Sequence, residues 1–385
     1  MTATERNSSH APRGVMRWPL GLHIAIALVL AVTGAVTVLG LLWLTLGSPR
    51  VQVSGPLKPS DTYDAIKIAL TVVAGAGGVV ALVVAYRRQH LSETTSTREY
   101  ERALIERFGA ASEQLGADQP AVRIAGAYAM ARLADEWPQE RQMCIDVLCG
   151  YLRMPHAPDP PTDDHALTTW ERERGVRGTV LQIIGSHLRD DIAESCESWQ
   201  GYDLNLAGAV IHSADFRGAR FTGGDISFVK TIFVGHGRDQ VVFDDVDFAK
   251  GSSVYFRLAE FRSGSVRFNR ATFNGGWVTF DSARFAGAQV QFRNASFTAG
   301  EILFEDAEFC DGYIDFSGAT FTGSTVNFGE HDHRPVYVTM PPARFSGGVV
   351  DFSQAADFAH PPQFGLGALP PGLRLPADTN ISDLP

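Results

Sequence analysis

The sequence predicts an N-terminal transmembrane α-hairpin and a small α-helical region, followed by an all-β solenoid. Three observations predict this. Two long apolar runs, 20–46 and 65–86, lie near the N-terminus of a 385-residue chain. Apolar residues then recur at helical spacing between about 92 and 188. Beyond Asp215 come all but one of the 24 phenylalanines, Phe108 being the exception, at intervals that alternate between five and seven residues. A length of 385 residues with 45% hydrophobic residues implies several modules rather than one core.

The run from Leu20 to Leu46 carries no formal charge, and its one titratable group is His23. A bilayer core of about 30 Å needs about 20 helical residues, so this run is long enough to span. A cleaved signal peptide would have an apolar region of only about 7–15 residues. Trp18 and Trp43 stand near its ends, where amphipathic rings favour the lipid–water boundary, and Pro19 suits a first helical turn. The second run, 65–86, is flanked by Tyr63 and Tyr86, and Lys67 is close enough to its start to reach the headgroups. Ala27, Ala31 and Ala35, and likewise Gly77, Ala81 and Ala85, put a smooth stripe on each helix. Arg6, Arg13 and Arg17 precede the first run and Arg87 and Arg88 close the second, against Arg50 and Lys58 in the loop. This bias puts both termini in the cytoplasm of a cell whose plasma membrane the chain crosses twice. The division is then a cytoplasmic tail 1–19, spans 20–46 and 65–86, and an external loop 47–64.

Helical periodicity governs residues 92–153, expected as a cytoplasmic adaptor. Ser96 with Glu99 forms a capping-box pattern, and Tyr100, Ala103, Leu104, Phe108, Ala111 and Leu115 follow on one face before Gly116. Pro120 opens a second helix and Pro138 separates it from a third. Residues 154–176, beginning MPHAPDPPTDD, read as a linker, and 177–200 as a capping helix and lead-in.

The aromatic period decides the rest. Phe256, Phe268, Phe280, Phe292, Phe304, Phe316 and Phe328 are 12 residues apart, and Phe261 to Phe321 form a second such series offset by five. Two places before each Phe stands a small residue: Val254, Val266 and Val278 in one series, Ala259, Ala271 and Ala283 in the other. In an extended segment residues two apart share a side, so small and aromatic side chains face one interior. A fixed short period means a solenoid, its coils stacked about 4.8 Å apart with Phe on Phe. Gly in the two-residue inserts (TF-NGG, RF-AGA, TF-TGS) allows the positive φ of a tight corner. The period alone does not fix the number of residues per coil; if four sides make one, 24 residues form a turn and the rod has about seven turns. Departures at 234–242, 249–253 and 329–343 are expected as loops, with His333 and Met340 in ladder positions inside the last.

The stretch LNLAGAVIHSADFRGARF, with Leu206, Ile211, Phe216 and Phe221 central, and the doubled unit V-x-F-x-x-A-x-F that follows resemble pentapeptide repeats over about 202–358. The segment EQLGADQPAVRIAGAYAMARLADEWPQERQMCIDVLCGYL is similar to the helical region between anchor and repeats in bacterial pentapeptide-repeat membrane proteins. The resemblance implies a right-handed quadrilateral β-helix. Trp199 with the preceding helix is the expected first cap, and the Pro-rich tail, 359–385, the last.

No catalytic constellation is visible. G-x-S-x-G and H-E-x-x-H are absent, and Gly75, Gly77 and Gly78 lie in an apolar run without a following Lys-Ser/Thr. Cys144 and Cys149 lack CxxC spacing, and with Cys196 and Cys310 they suit a reducing compartment. His331 and His333, and the acids Asp244, Asp245 and Asp247, are the weighed metal candidates; solvated or ladder roles account for them, so no catalytic, cofactor or metal residue is assigned. Residues 202–358 hold 19 Asp and Glu against 13 Lys and Arg, a net −6 within a chain of −10. That excludes general nucleic-acid binding and is mild for a DNA mimic of the kind that binds a topoisomerase, which stands as the alternative. The expected function is a membrane-anchored, non-enzymatic scaffold, with the lipid bilayer and a cytoplasmic protein as partners. Tyr255, Arg267, Thr279, Gln291, Leu303, Asp315 and Asn327 are its outward positions. A basic turn (Arg257, Arg262, Arg267, Arg270) and an acidic one (Glu301, Glu305, Asp306, Glu308, Asp311, Asp315) also suggest self-association of rods.

Overall fold

The computed structural model describes residues 59–189 and 197–329 continuously, shorter stretches from there to residue 379, and isolated positions between 29 and 45. The first expected span, 20–46, lies outside the described residues apart from those positions. Two compact units divide the chain, 1–102 and 103–385.

In the first unit the main element is the beginning of α1 (Pro59–Leu115), one helix of 57 residues. It joins the apolar run 65–86 to the charge-bearing stretch from Arg87 to Arg107, so the sequence's adaptor does not begin as a separate helix. Ser96 starts nothing, because a helix already propagating through 92–95 needs no new cap. Ile66, Leu70, Leu82, Val84 and Tyr86 are exposed, between 48 and 72%. Among the described residues no helix is long and apolar enough to cross a membrane, so the expected hairpin has no support from them.

The second unit begins with the last turns of α1, followed by α2 (Pro120–Glu136), α3 (Arg141–Leu152) and α4 (Asp164–His187). Pro120 supplies the fixed φ of the first position in α2, and Trp137-Pro138 ends it. The linker is shorter than expected: α4 starts at Asp164 rather than at 177. Its N-cap is Asp163, whose carboxylate accepts from Ala166 N at 2.8 Å. Residues 164–176 hold few apolar side chains, so a stripe was not visible there, but the cap is sufficient to set the start. Two buried arginines satisfy carbonyls that the helix ends leave without partners. Arg141 donates to Ala134 O, Asp135 O and Ser198 O. Arg177 donates to Tyr151 O and Leu152 O at the end of α3 and to Met154 O just past it.

The rest of the second unit is a parallel solenoid of four ring columns. Phe228, Phe256, Phe280, Phe304 and Phe328 form one, stacked at 4.9, 4.7, 4.7 and 4.5 Å. A second runs Phe216, Phe243, Phe268, Phe292, Phe316, Phe352. Phe221 to Phe321 and Phe233 to Phe345 make the other two. Rings of different columns also meet edge to face, as Phe256 and Phe268 do at 6.0 Å and 84°, a favoured aromatic geometry. Val254, Val278, Ile302 and Val326 lie in register on successive coils, and Ala259, Ala271, Ala283, Ala295, Ala307 and Ala319 are all fully buried.

The two intervals of the repeat are two kinds of corner. In the five-residue interval Ala N closes a turn on Phe O three residues before, at 3.0 Å for Ala259 and 2.9 Å for Ala283. The residue before that Ala then needs positive φ, as in a type II turn. Leu258, Arg270, Ser282, Asn294 and Asp306 supply it with φ between 50 and 57°. In the seven-residue interval the chain stays extended: Thr272–Thr279, Arg284–Gln291, Ser296–Leu303 and Glu308–Asp315 are unbroken strands whose register shifts at the insert, a β-bulge. Glycines in that insert do adopt positive φ, among them Gly300 at 92° and Gly312 at 92°. The sequence therefore located the glycines of the inserts but not the seven non-glycine residues with positive φ, Lys230 and Asp245 among them.

The rod has about six turns rather than seven. Insertions lengthen particular coils: Phe309 stacks on Phe345, 36 residues later, where the regular coil takes 24. The extra residues form an antiparallel hairpin, His331–His333 with Val338–Met340. His333 and Met340 thus belong to that hairpin, and Phe309 stacks directly on Phe345. The tail adds to the rod: Leu373–Arg374 pairs with Val350–Asp351, and Gln363 bridges to Asn327. At the other end α4 lies on the first coil, where a Cβ on Gly185 would stand 2.2 Å from Asp215 O. Trp199 is fully buried there, stacked on His187 at 4.2 Å and donating to Asp135 Oδ1 at 3.0 Å.

Candidate functional site

Two features could carry function: the outer wall of the rod, and the seam between α4 and the first coils. Of the seven outward positions read from the sequence, Thr279, Leu303, Asp315 and Asn327 are only 1–2% exposed. These four do not present themselves to a partner. Asp315 and Asn327 occupy the residue before Phe, where a side-chain oxygen reaches the N–H two places on and caps the corner. Ser317 N donates to Asp315 at 2.8 Å and Gly329 N to Asn327 at 2.8 Å. Asp215, Asp351 and Thr279 do the same for Arg217, Ser353 and Asp281. Such local bonds explain the Asp, Asn and Thr found at this position.

Charges on the wall are matched mainly between neighbouring coils. Arg267 pairs with Asp244 at 2.6 Å, Arg270 with Asp245 at 2.7 Å, and Arg220 with Asp247 at 3.1 Å. Arg293 pairs with Asp315, Arg344 with Asp306 and Glu308, and Arg374 with Asp351. Arg262 pairs with Glu260 on its own strand and with Asp159 beyond α3. The acids considered as a cation site, Asp244, Asp245 and Asp247, are therefore ion-paired to arginine. Arg262, Arg267 and Arg270 of the basic turn and Asp306, Glu308 and Asp315 of the acidic turn thus find partners within one chain, though not in each other. Each exposed pair contributes little, so the network fixes register more than it stabilises.

One stretch of wall is different. Asp225, Ser253, Trp277, Glu301 and Thr325 follow one another on successive coils. Trp277 is 39% exposed and meets Tyr255 edge to face at 5.7 Å. Asp225 accepts from Tyr255 Oη at 3.3 Å.

The seam holds a cavity of about 240 Å³, lined in part by Glu171, Arg174, Arg177, His212, Ser213 and Asp239. Beside it Trp170 is surrounded by three histidines from distant segments. His156 stacks on it at 5.6 Å, while His212 and His236 meet it edge-on at 5.0 and 5.9 Å. Arg174 lies over the Trp170 ring and pairs with Asp239 at 2.6 Å. Both ring nitrogens of His212 and Nε2 of His156 are closed off without a hydrogen-bond partner. Burial, reinforced by the cations and histidines around it, pushes His212 down to about 3; burial and Arg177 bring His156 to about 4. Sequence reasoning missed this cluster because its members are 14 to 80 residues apart and share no motif.

Among the described residues no group of three His, Cys, Asp or Glu side chains could hold a metal ion. The side chains of His331 and His333 lie outside the described residues. Cys144 and Cys149 are buried, and burial raises their thiols to about 11 and 12, which keeps them protonated and unreactive. Neither a protein-family model nor a curated protein matches the chain. The fold itself fits a pentapeptide repeat: a β-solenoid whose phenylalanines stack coil on coil.

Proposed function

We propose that this protein is a membrane-anchored, non-enzymatic scaffold whose rod displays a rigid wall to a cytoplasmic protein. The observation that carries the reading is the contrast between interior and exterior. The interior repeats one chemistry, Phe with Val or Ala, along its whole length. The exterior changes residue at nearly every coil, and only part of that variation, the corner caps and the ion pairs between coils, serves the rod itself. Repeat proteins of this architecture offer extended binding surfaces because neighbouring coils fix one another. The anchor rests on the uncharged run 20–46, on the apolar run 65–86 and on the exposed apolar side chains of α1.

Two measurements test the two halves separately. For the anchor, Ser54→Cys and Ser382→Cys are labelled in intact cells with an impermeant maleimide. Labelling at 54 with protection at 382 is expected. Extraction of the full chain by alkaline carbonate would sink the anchor. For the scaffold, cross-linking in intact cells is expected to give one dominant soluble partner joined to rod positions. Adducts confined to residues before 200 would sink the scaffold reading.

A further inference from the structure

The wall around Trp277 differs from the rest of the rod in both aromatic exposure and charge. Asp244, Asp245, Asp247, Glu260, Asp306, Glu308, Asp315 and Asp351 each have an arginine partner. Asp225 and Glu301 have no ion-pair partner among the described residues. Lys250 packs its stem against Gly275, on the same strand as Trp277, and reaches neither carboxylate. Between the two acids the ladder places Trp277, with Tyr255 buttressing it from the neighbouring register position. Tyr255 is fixed in turn by its bond to Asp225.

From this arrangement we infer that the Asp225–Trp277–Glu301 face is a docking site for a basic, extended segment of the partner protein. The inference rests on the scaffold reading and names the chemistry of its partner. Asp225 and Glu301 are three rungs apart, about 14 Å along the rod at a strand spacing of about 4.8 Å. An extended peptide rises about 3.3 Å per residue, so four or five residues cover that distance. A guanidinium over the exposed Trp277 ring gains the cation–π attraction that is strongest for Trp. Cations on either side meet Glu301 and Asp225. The exchange is more favourable here than at the eight acids already paired, where an incoming cation would have to displace an arginine in place.

The test uses the full chain in detergent micelles and a fluorescein-labelled nona-arginine peptide read by anisotropy. Binding is expected, and Trp277→Ala and Glu301→Gln are each expected to weaken it by about tenfold or more, since an aromatic anchor and its flanking charge dominate such contacts. Trp277→Phe should retain part of the affinity, which separates loss of the ring from loss of the fold. Asp311→Asn, an equal change of charge on another wall, should leave binding within about twofold. Equal affinity for wild type, Trp277→Ala and Glu301→Gln overturns the inference, because it means that only net charge attracts the peptide. A cellular partner cross-linked to another wall also overturns it while leaving the scaffold intact.

Discussion

At Phe280 the ring is fully buried and stacks at 4.7 Å on both Phe256 and Phe304, with Phe268 and Phe292 edge-on at 6.3 and 6.4 Å. A coil cannot shift to fill the space of one missing ring without misaligning three other columns. Phe280→Ala is therefore expected to cost about 4 kcal/mol, toward the upper part of the range for large-to-small core changes, measured as the shift in urea midpoint. Leu258 makes the opposite case. It is 42% exposed and holds φ at 57°, a conformation in which an L side chain crowds its own backbone. Leu258→Gly should raise stability by roughly 0.5–1 kcal/mol, the relief of that strain less the entropy that glycine brings to the unfolded chain. A lower urea midpoint would show that the Leu258 side chain has a packing role that outweighs the strain.

The helices of the second unit depend on a few buried groups at their ends. Arg177 reaches the carbonyls of Tyr151 and Leu152 at the end of α3 and of Met154 just past it from one position on α4, so it both caps one helix and ties the other to it. Arg177→Met would keep most of the stem and take the side-chain donor from these carbonyls, of which Tyr151 O retains Met154 N–H, at an expected cost of about 3 kcal/mol. Arg177→Lys should recover less than half of that, since one ammonium cannot reproduce the planar fork. Both are read from urea denaturation. Elements of this kind also show what the sequence could reveal. The Phe and Ala positions were legible because their period repeats and each residue's neighbours in space are its neighbours in the repeat. The start of α4 was not, because its signal is a single cap, Asp163, followed by a polar first half. Nor was the hairpin at 331–340, where His333 and Met340 happen to fall near the expected interval. The Asp225, Trp277 and Glu301 row was hidden for a different reason. Outward positions obey no period, and only coordinates tell which acids already have an arginine.

At the scale of the whole second unit, the helical block and the rod meet at a seam where burial disfavours protonation of His212 and His156. His212 is 4% exposed, and neither of its ring nitrogens has a partner. His156 stacks on Trp170 and His236 adjoins His212 at 5.7 Å. The charged neighbours are Glu173, Arg174 and Arg177 on α4 and Asp239 from the rod. A folded-state value of about 3 for His212 lies below the ordinary 6.5. The unfolded chain therefore binds the proton more readily, and stability is full above pH 6.5 and declines as pH falls toward the folded value. His187 acts in the other direction. Burial disfavours its charge, but bonds to Asp135 and Ile183 outweigh burial and raise it, so its contribution is lost as pH rises above 6.5. Replacing His212 by Phe isolates the first effect, since a ring of similar size remains against Trp170. From pH 7 to pH 5 one such proton is worth about 2 kcal/mol. The urea-derived stability of wild type should thus fall between these pH values by about that much more than the stability of His212→Phe. Parallel losses in the two proteins would mean that the seam already admits water or a proton at His212, and that its closure does not join the helices to the rod.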